Sequence, residues 1–397
     1  MTKATTPQLR FREFTQDWQQ QKLDATFTLI SGQHLLPSEY STDSGEVPYF
    51  AGPLDFTDDK KAIKKWAIYP SKIALNGDVL ITVKGSGVGV LWFLILPKVA
   101  IGRQLMAIRG SGGSTTLLFH LLSTKRQRFQ ALAAGNMIPG LSRGDILQMP
   151  LSLPTTEEQR KIAAVFSAVD AKLDALRRKR ALLAEYKRGV MQKLFSQEIR
   201  FVGDGGRPFA DWKEIRLEDL GELVTGLTYS PSNTRPEGLL VLRSSNIQDG
   251  KISLEDTVFV NVKVSEKSLS QKDDILICVR NGSQRLIGKN AVIPVDIPLA
   301  THGAFMVVFR GENNYFVRHL LDTPFYYRQV HADLGARINS INNSRLRRYK
   351  FTIPSELEER RKIADFLTAV DDKITAVSQQ ITQMEAFKKG LLQQMFV

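Results

Sequence analysis

A single cysteine, Cys278, stands in 397 residues, so no disulfide can form within the chain and its fold cannot rest on oxidised sulfur. With no histidine conspicuously beside it, Cys278 reads as a buried strand residue rather than a nucleophile. No apolar run approaches the roughly 18 to 20 residues of a membrane span; the longest candidate, Val88 to Leu96, is a buried strand at most. The opening MTKATTPQLRFREF has no apolar centre and no cleavage site, so the expectation is a cytoplasmic protein without a membrane partner. No Pro-Pro pair occurs, which removes the (D/N/S)PP(Y/F/W) motif that holds the target amine of an amino-methyltransferase. GSGVG at Gly85 is not followed by a convincing nucleotide-binding helix, and GSQRLIGKN from Gly282 has one residue too many for a phosphate loop and ends in Asn. His34, His120, His302, His319 and His331 form neither HExxH nor a zinc spacing. The expectation is a protein without catalysis, cofactor or metal of its own.

What is present is positive charge and repetition. The formal charge of +13 and pI near 9.7 suit a polyanionic partner, which would release counterions on meeting such a surface; a solvated basic surface is the plainer reading of charge alone. Laid over itself at an offset of 201 residues, Glu158 to Ser196 matches Glu359 to Val397 without gaps, with fourteen of 39 pairs identical. EQRKIAAVFSAVDAKL in the first copy answers ERRKIADFLTAVDDKI in the second. Weaker echoes precede them: Asp17-Trp18 and Gly32 match Asp211-Trp212 and Gly226, and GDVLITVKGSG from Gly77 resembles DDILICVRNGS from Asp273. Prolines at 150, 154 and 354 and the joint VGDGGRP at Val202 to Pro208 divide the chain into bodies at 1–150 and 201–350 and tails at 151–200 and 351–397.

Each tail carries apolar residues every seven positions, the a/d pattern of a coiled-coil seam. In the first they are Ile162, Val169, Leu176, Leu183 and Val190, interleaved with Phe166, Leu173 and Leu194; in the second, Ile363, Val370, Val377, Met384 and Leu391, with Leu367, Ile374, Ile381 and Met395. Both tails open with proline and acidic residues, as helix N-termini prefer. A helix of about 39 residues would reach roughly 58 Å, comparable with about 17 base pairs of duplex. Gly189 and Gly390 sit at matching positions inside it, where glycine costs about 1 kcal/mol against alanine; a close crossing of backbones and fraying near a helix end are the two explanations. The basic run Arg177 to Arg180, with Lys187, Arg188 and Lys193, suits either phosphates or a solvated face.

The bodies mix β-rich runs, DVLITV (Asp78 to Val83), ILICV (Ile275 to Val279) and FMVVF (Phe305 to Phe309), with helical stretches such as STTLLFHLLSTKRQRFQAL. The fold class is therefore α+β: two α/β bodies, each followed by a long helix. After the matched strands come small polar loops, with Lys84, Gly85 and Ser86 in the first body and Arg280, Asn281, Ser283, Gln284 and Arg285 in the second. Glycine permits close approach to a ligand, Lys and Arg neutralise phosphate, and Arg, Asn or Gln can read guanine or adenine edges; an ordinary hairpin turn explains these loops equally well. A second matched place precedes each tail: GNMIPGLSR from Gly135, with Arg143, and NSINNSRLRR from Asn339, with Asn342, Asn343, Arg345, Arg347 and Arg348. Lys60, Lys61, Lys64 and Lys65 near Trp66 form a further basic cluster, which exposure on a helix would also explain.

The order of variable body, Pro-acidic-RKIA helix, variable body and second helix strongly resembles the specificity subunits of type I restriction–modification systems over nearly the whole chain. LPTTEEQRKIAAVFSAVDAKL at Leu153 to Leu173 and IPSELEERRKIADFLTAVDDKI at Ile353 to Ile374 look like that family's two conserved regions. The resemblance implies that the bodies are target recognition domains, each reading one half of a bipartite site in double-stranded DNA. It also implies an antiparallel coiled coil that sets the gap between half-sites, and a pseudo-twofold repeat. Two methylation subunits would dock on the helices, with S-adenosylmethionine for adenine methylation, and restriction motor-nuclease subunits would bring ATP and magnesium. The chain itself would be a non-catalytic subunit that directs methylation or restriction. Base-contacting residues do not transfer by position, because recognition domains vary widely in the family. Two other readings share part of this pattern: a freestanding DNA-binding regulator, which would bind specifically without methylation subunits, and a coiled-coil scaffold, whose affinity for duplex would be flat in salt.

Overall fold

The central strands of each body are apolar on both sides, and the reason lies in their alternation. Val79 and Ile81 of strand Val79–Thr82 face one hydrophobic cluster while Leu80 faces another. In Ile275–Cys278, Ile275 and Ile277 face one cluster, Leu276 and Cys278 the other. Successive side chains point to opposite faces of a sheet, so a strand covered on both sides reads as a continuous apolar run. The computed structural model describes residues 6–110, 114–134, 140–334 and 339–396. The chain forms two units, residues 1–178 with 378–397, and 179–377; the boundary falls inside each long helix.

In the first unit the sheet order is Phe27–Ser31, Leu105–Gly110, Val79–Thr82, Leu91–Phe93, all antiparallel. Helices Thr115–Ser123 and Arg126–Ala133 cover one face. A second sheet pairs Val47–Phe50 parallel with Lys98–Ile101. The second unit repeats the plan: Gly221–Thr225, Met306–Gly311 and Ile275–Cys278 are neighbours in one sheet, and Leu239–Leu242 runs parallel with Ala300–His302 in the other. Each body is closed by a ribbon joining its first and last strands, Gln19–Lys22 with Pro150–Leu153 and Lys213–Arg216 with Lys350–Ile353. From there the chain passes into the long helices Thr156–Phe195 and Leu357–Met395.

Each helix is fastened at its foot by a buried carboxylate. Arg10 donates from Nε and Nη2 to Glu158 at 2.8 Å each, and the Trp18 indole N–H adds a bond at 3.4 Å. In the second unit Arg200 donates to Glu359 at 3.0 and 2.8 Å and Trp212 at 3.2 Å. Both glutamates are fully buried, a placement tolerated because paired, charge-assisted hydrogen bonds meet the oxygens.

The heptad residues are buried or half-buried as expected, but the seam has a second task near its ends. Ile162 and Phe166 join the first body's core together with Met395, while Ile363 and Leu367 join the second body's core together with Met191 and Leu194. Within the first unit Lys388 reaches Asp170 at 2.5 Å and Arg177 reaches Glu385 at 2.7 Å, so the two helix segments run antiparallel. Within the second, Lys187 reaches Asp371 at 2.7 Å. A body histidine lies against each Lys–Asp pair: His120 Nε2 is 3.6 Å from Asp170, and His319 Nδ1 is 3.9 Å from Asp371. Burial, with the neighbouring lysine opposing protonation, pushes His120 down to about 4 and His319 to about 3.

Of the two explanations for Gly189 and Gly390, a close crossing of backbones is not found. A Cβ at either position would meet nothing within 4 Å, and both lie within their helices rather than in a frayed end. Cys278 is buried in its strand, where desolvation raises its thiol to about 11.

Two predictions follow from this packing. Gly189→Ala and Gly390→Ala should each stabilise the protein by about 1 kcal/mol in urea unfolding; a lowered midpoint contradicts open space at these positions. His120 titrates lower in the folded protein than its unfolded value of about 6.5, so the unfolded chain binds more protons between about pH 6.5 and 4 and stability falls as pH falls through that window. About 3 kcal/mol should be lost by pH 4 through His120, and His120→Gln should flatten the acid response; an unchanged slope would remove the histidine from it.

Candidate nucleic-acid interface

The small polar loops after the matched strands do not stand alone. In the second body Val279 and Arg280 donate backbone N–H bonds to Phe305 O at 3.0 and 3.1 Å, and Ile341 N donates to Val279 O at 2.8 Å. Arg280 pairs with Ser340 in an isolated antiparallel bridge, and Asn339 Nδ2 donates to Gly282 O at 3.0 Å. The first body repeats the arrangement: Val83 N donates to Gln104 O and Leu141 N to Val83 O, both at 2.8 Å, and Lys84 bridges Gly140. The two matched places in each body are therefore brought together. Gly135 to Pro139, the start of the first body's second place, lie outside the described residues.

Three further loops meet them at the same end, none of which the sequence singled out as a ligand site. After the first strand of each main sheet, Gln33 N donates to Ile101 O at 2.8 Å, and Leu227 N to His302 O at 2.7 Å. Gly32 and Gly226 permit this, because an added Cβ would lie 2.0 Å from Gly102 O and 2.2 Å from Gly303 O. After the parallel strands come the turns Pro53–Asp55 and Ser244–Asn246. Pro53 lies against Gly87, whose Cβ would meet it at 2.8 Å, and Ser244 Oγ accepts from Asn281 Nδ2 at 2.8 Å. The third loop holds Arg103 and Gln104 in the first body and Ala304 and Phe305 in the second, all exposed.

The expected site residues divide by what already occupies them. Lys84, Ser86, Arg280, Gln284 and Arg285 are exposed on this face, with Arg280 lying 5.5 Å from the centre of the Phe305 ring, a cation–π distance. Asn281 is committed to the loop itself: besides its bond to Ser244, its Oδ1 accepts from Ser283 N at 3.0 Å. Asn342 caps the helix Asn343–Arg347 by accepting from Ser344 N at 2.9 Å. Arg143 holds Leu29 O and Ser31 Oγ at 3.0 and 2.9 Å, and Arg345 pairs with Asp333 at 3.1 Å. These four have structural duties, whereas Arg347 is exposed and Asn343 half-exposed. Lys60 and Lys61 sit on one 3-10 turn capped by Asp59, not on a longer helix.

Beside Arg280 a cleft of about 500 Å³ opens between the loops of the second body, lined by Tyr229, Arg243, Ser244, Asp256 and Phe305 among others. Arrays of arginine, lysine and small polar side chains on glycine-bearing loops can neutralise phosphates and address base edges. No group of His, Cys, Asp and Glu able to hold a metal occurs among the described residues, and no described helix is long and apolar enough to cross a membrane.

Residues 15–185 and 210–386 each match the family model described as "Type I restriction modification DNA specificity domain". The chain is similar to the type I restriction enzyme MjaVIII specificity subunit of Methanocaldococcus jannaschii, with 22% identity over 396 residues covering 95% of this chain and 91% of that protein. It is also similar to the EcoKI specificity subunit of Escherichia coli strain K12, 29% identical over 196 residues, or 46% of this chain and 41% of that protein. Among solved structures, the type I restriction–modification S subunit from M. genitalium has the same fold, with a TM-score of 0.66 over 99% of both chains at 18% identity.

Gly226→Ala should disturb this end of the second body by driving a methyl group into Gly303 O. The expected result is a loss of several kcal/mol, of the kind seen when a residue is forced into filled space. An unchanged unfolding midpoint would show that the two loops do not approach as closely as described.

Proposed function

The chain belongs to the type I restriction modification DNA specificity family, and from that premise we propose that its two bodies, residues 1–150 and 201–350, each read one half of a bipartite target in double-stranded DNA. The observation that carries this reading is the duplicated convergence: the same loops meet at the same end of each body, with different side chains on them. Two similar frames with unlike side chains suit a split site whose two halves differ.

Phosphate contacts from Lys84 and Arg280 would position the duplex, with Ser86, Gln284 and Arg285 addressing it from the same loops. The long helices set the gap between half-sites and carry the docking surface for two methylation subunits. At 1.5 Å per residue a 40-residue helix spans about 60 Å, on the order of 17 or 18 base pairs. Adenine methylation, and restriction where motor-nuclease subunits join, is carried out by those partners with S-adenosylmethionine, ATP and magnesium, while this chain supplies the address.

A long-read methylome of the source strain, with and without the gene, tests the reading. A split adenine-methylated motif should vanish on deletion. Unchanged methylation beside an active partner methylase would contradict it.

A further inference from the structure

Resting on that reading, we propose that the tip of one turn in the second body, Ala304 with Phe305, recognises a thymine in its half-site by apolar contact with the 5-methyl group. That methyl distinguishes thymine in the major groove, and alanine and phenylalanine are among the side chains suited to meet it. Such reading needs no hydrogen-bonding fork, only an apolar side chain that the fold holds out to solvent. Ala304 is exposed and the Phe305 ring is 55% exposed, while Gly303 and Met306 on either side are buried.

The turn is pinned at each of its four residues. Met306 N donates to Gly303 O at 2.8 Å and closes it; Gly303 N donates to Leu242 O at 3.0 Å and Ala304 N to Leu227 O at 2.9 Å. Phe305 O accepts from Val279 N and Arg280 N at 3.0 and 3.1 Å, which ties the tip to the Arg280 loop. With Gly226 packed against Gly303 O, the backbone at the tip is already ordered, so little ordering is left for binding.

The ring stands among groups that suit a duplex. It lines the cleft of about 500 Å³, and the Arg280 guanidinium lies 5.5 Å from its centre. A cation able to neutralise phosphate thus stands beside an apolar surface able to meet a base.

One exposed ring is ordinary on a protein surface; the first body shows why this one is not. Residues 102–105 form the same turn, 201 positions earlier in the sequence. Leu105 N donates to Gly102 O at 2.9 Å, Gly102 N to Phe50 O at 2.8 Å, and Gln104 O accepts from Val83 N at 2.8 Å. Gly102 and Leu105 are buried again and the tip is exposed again, but the tip is Arg103 and Gln104. The frame is kept and the outward pair changes from hydrogen-bonding to apolar. Gln104 shows that a polar residue fits this place, so a ring there exposes apolar surface that the fold does not require. The thymine assignment therefore belongs to one half-site only.

The experiment first deletes the gene to identify the motif. If methylation is unchanged, the DNA-reading function itself fails and the thymine assignment falls with it. With the motif known, the complex isolated from the source strain through this chain is titrated, at one salt concentration, with duplexes in which each thymine of the half-sites is replaced in turn by uracil, which lacks only the methyl group. One replacement should weaken wild-type binding by about three- to tenfold, on the order of one buried methyl group. In complexes carrying Phe305→Gln or Phe305→Ala that penalty should fall toward unity. A wild type indifferent to every replacement overturns the proposal, as does a penalty that persists at full size in the variants. Where one variant fails to bind DNA, the other decides; loss of binding in both places the ring in the fold and overturns the proposal as well.

Discussion

A carboxylate with no exposure to water sits at the foot of each long helix, and the rest of each unit depends on how it is held. Leaving Glu158 or Glu359 without partners would cost several kcal/mol, so the arginine and tryptophan that satisfy each one are obligatory neighbours. That requirement pins the segment entering each body, Arg10 to Trp18 or Arg200 to Trp212, against the helix leaving it. The ribbon of first and last strands closes the same end, and the Lys–Asp pair with its buried histidine holds the body to the helix further along. Within a unit, the loops at the far end of the sheet inherit their placement from these contacts.

The helices and their seam were legible because the information is local and periodic: seven-residue spacing and an uninterrupted repeat suffice. The carboxylate anchor was half visible. Glu158 and Glu359 fall in the aligned repeat and Trp18 and Trp212 in its echoes, but Arg10 and Arg200 are 190 residues apart where the glutamates are 201 apart, so a single offset does not connect them. The loops at Lys84 and Arg280 could be found through the strands before them. The turns at Pro53 and Ser244 could not, because nothing in their residues is shared. Only the parallel pairing of distant strands, Val47–Phe50 with Lys98–Ile101 and Leu239–Leu242 with Ala300–His302, brings them to the site. The signal that pointed there was the pair Gly32 and Gly226, conspicuous as an echo, whose reason is contact with a backbone carbonyl some 70 residues away.

Residue type alone does not tell a reading side chain from one that serves the backbone. Asn281 and Asn342 have the chemistry of adenine readers, yet one staples a loop and the other caps a helix, tasks for which asparagine is equally suited. Under the proposed function, residues that build the frame recur in both bodies and residues that read differ.

In the proposed function, the helix pair sets the gap between the half-sites. Inserting one heptad into each long helix, in register with the seam, lengthens the pair by about 10 Å, on the order of three base pairs. The methylated motif of such a variant should keep both half-sites and widen its unspecified gap by that amount. Methylation that persists with an unchanged gap would contradict the account.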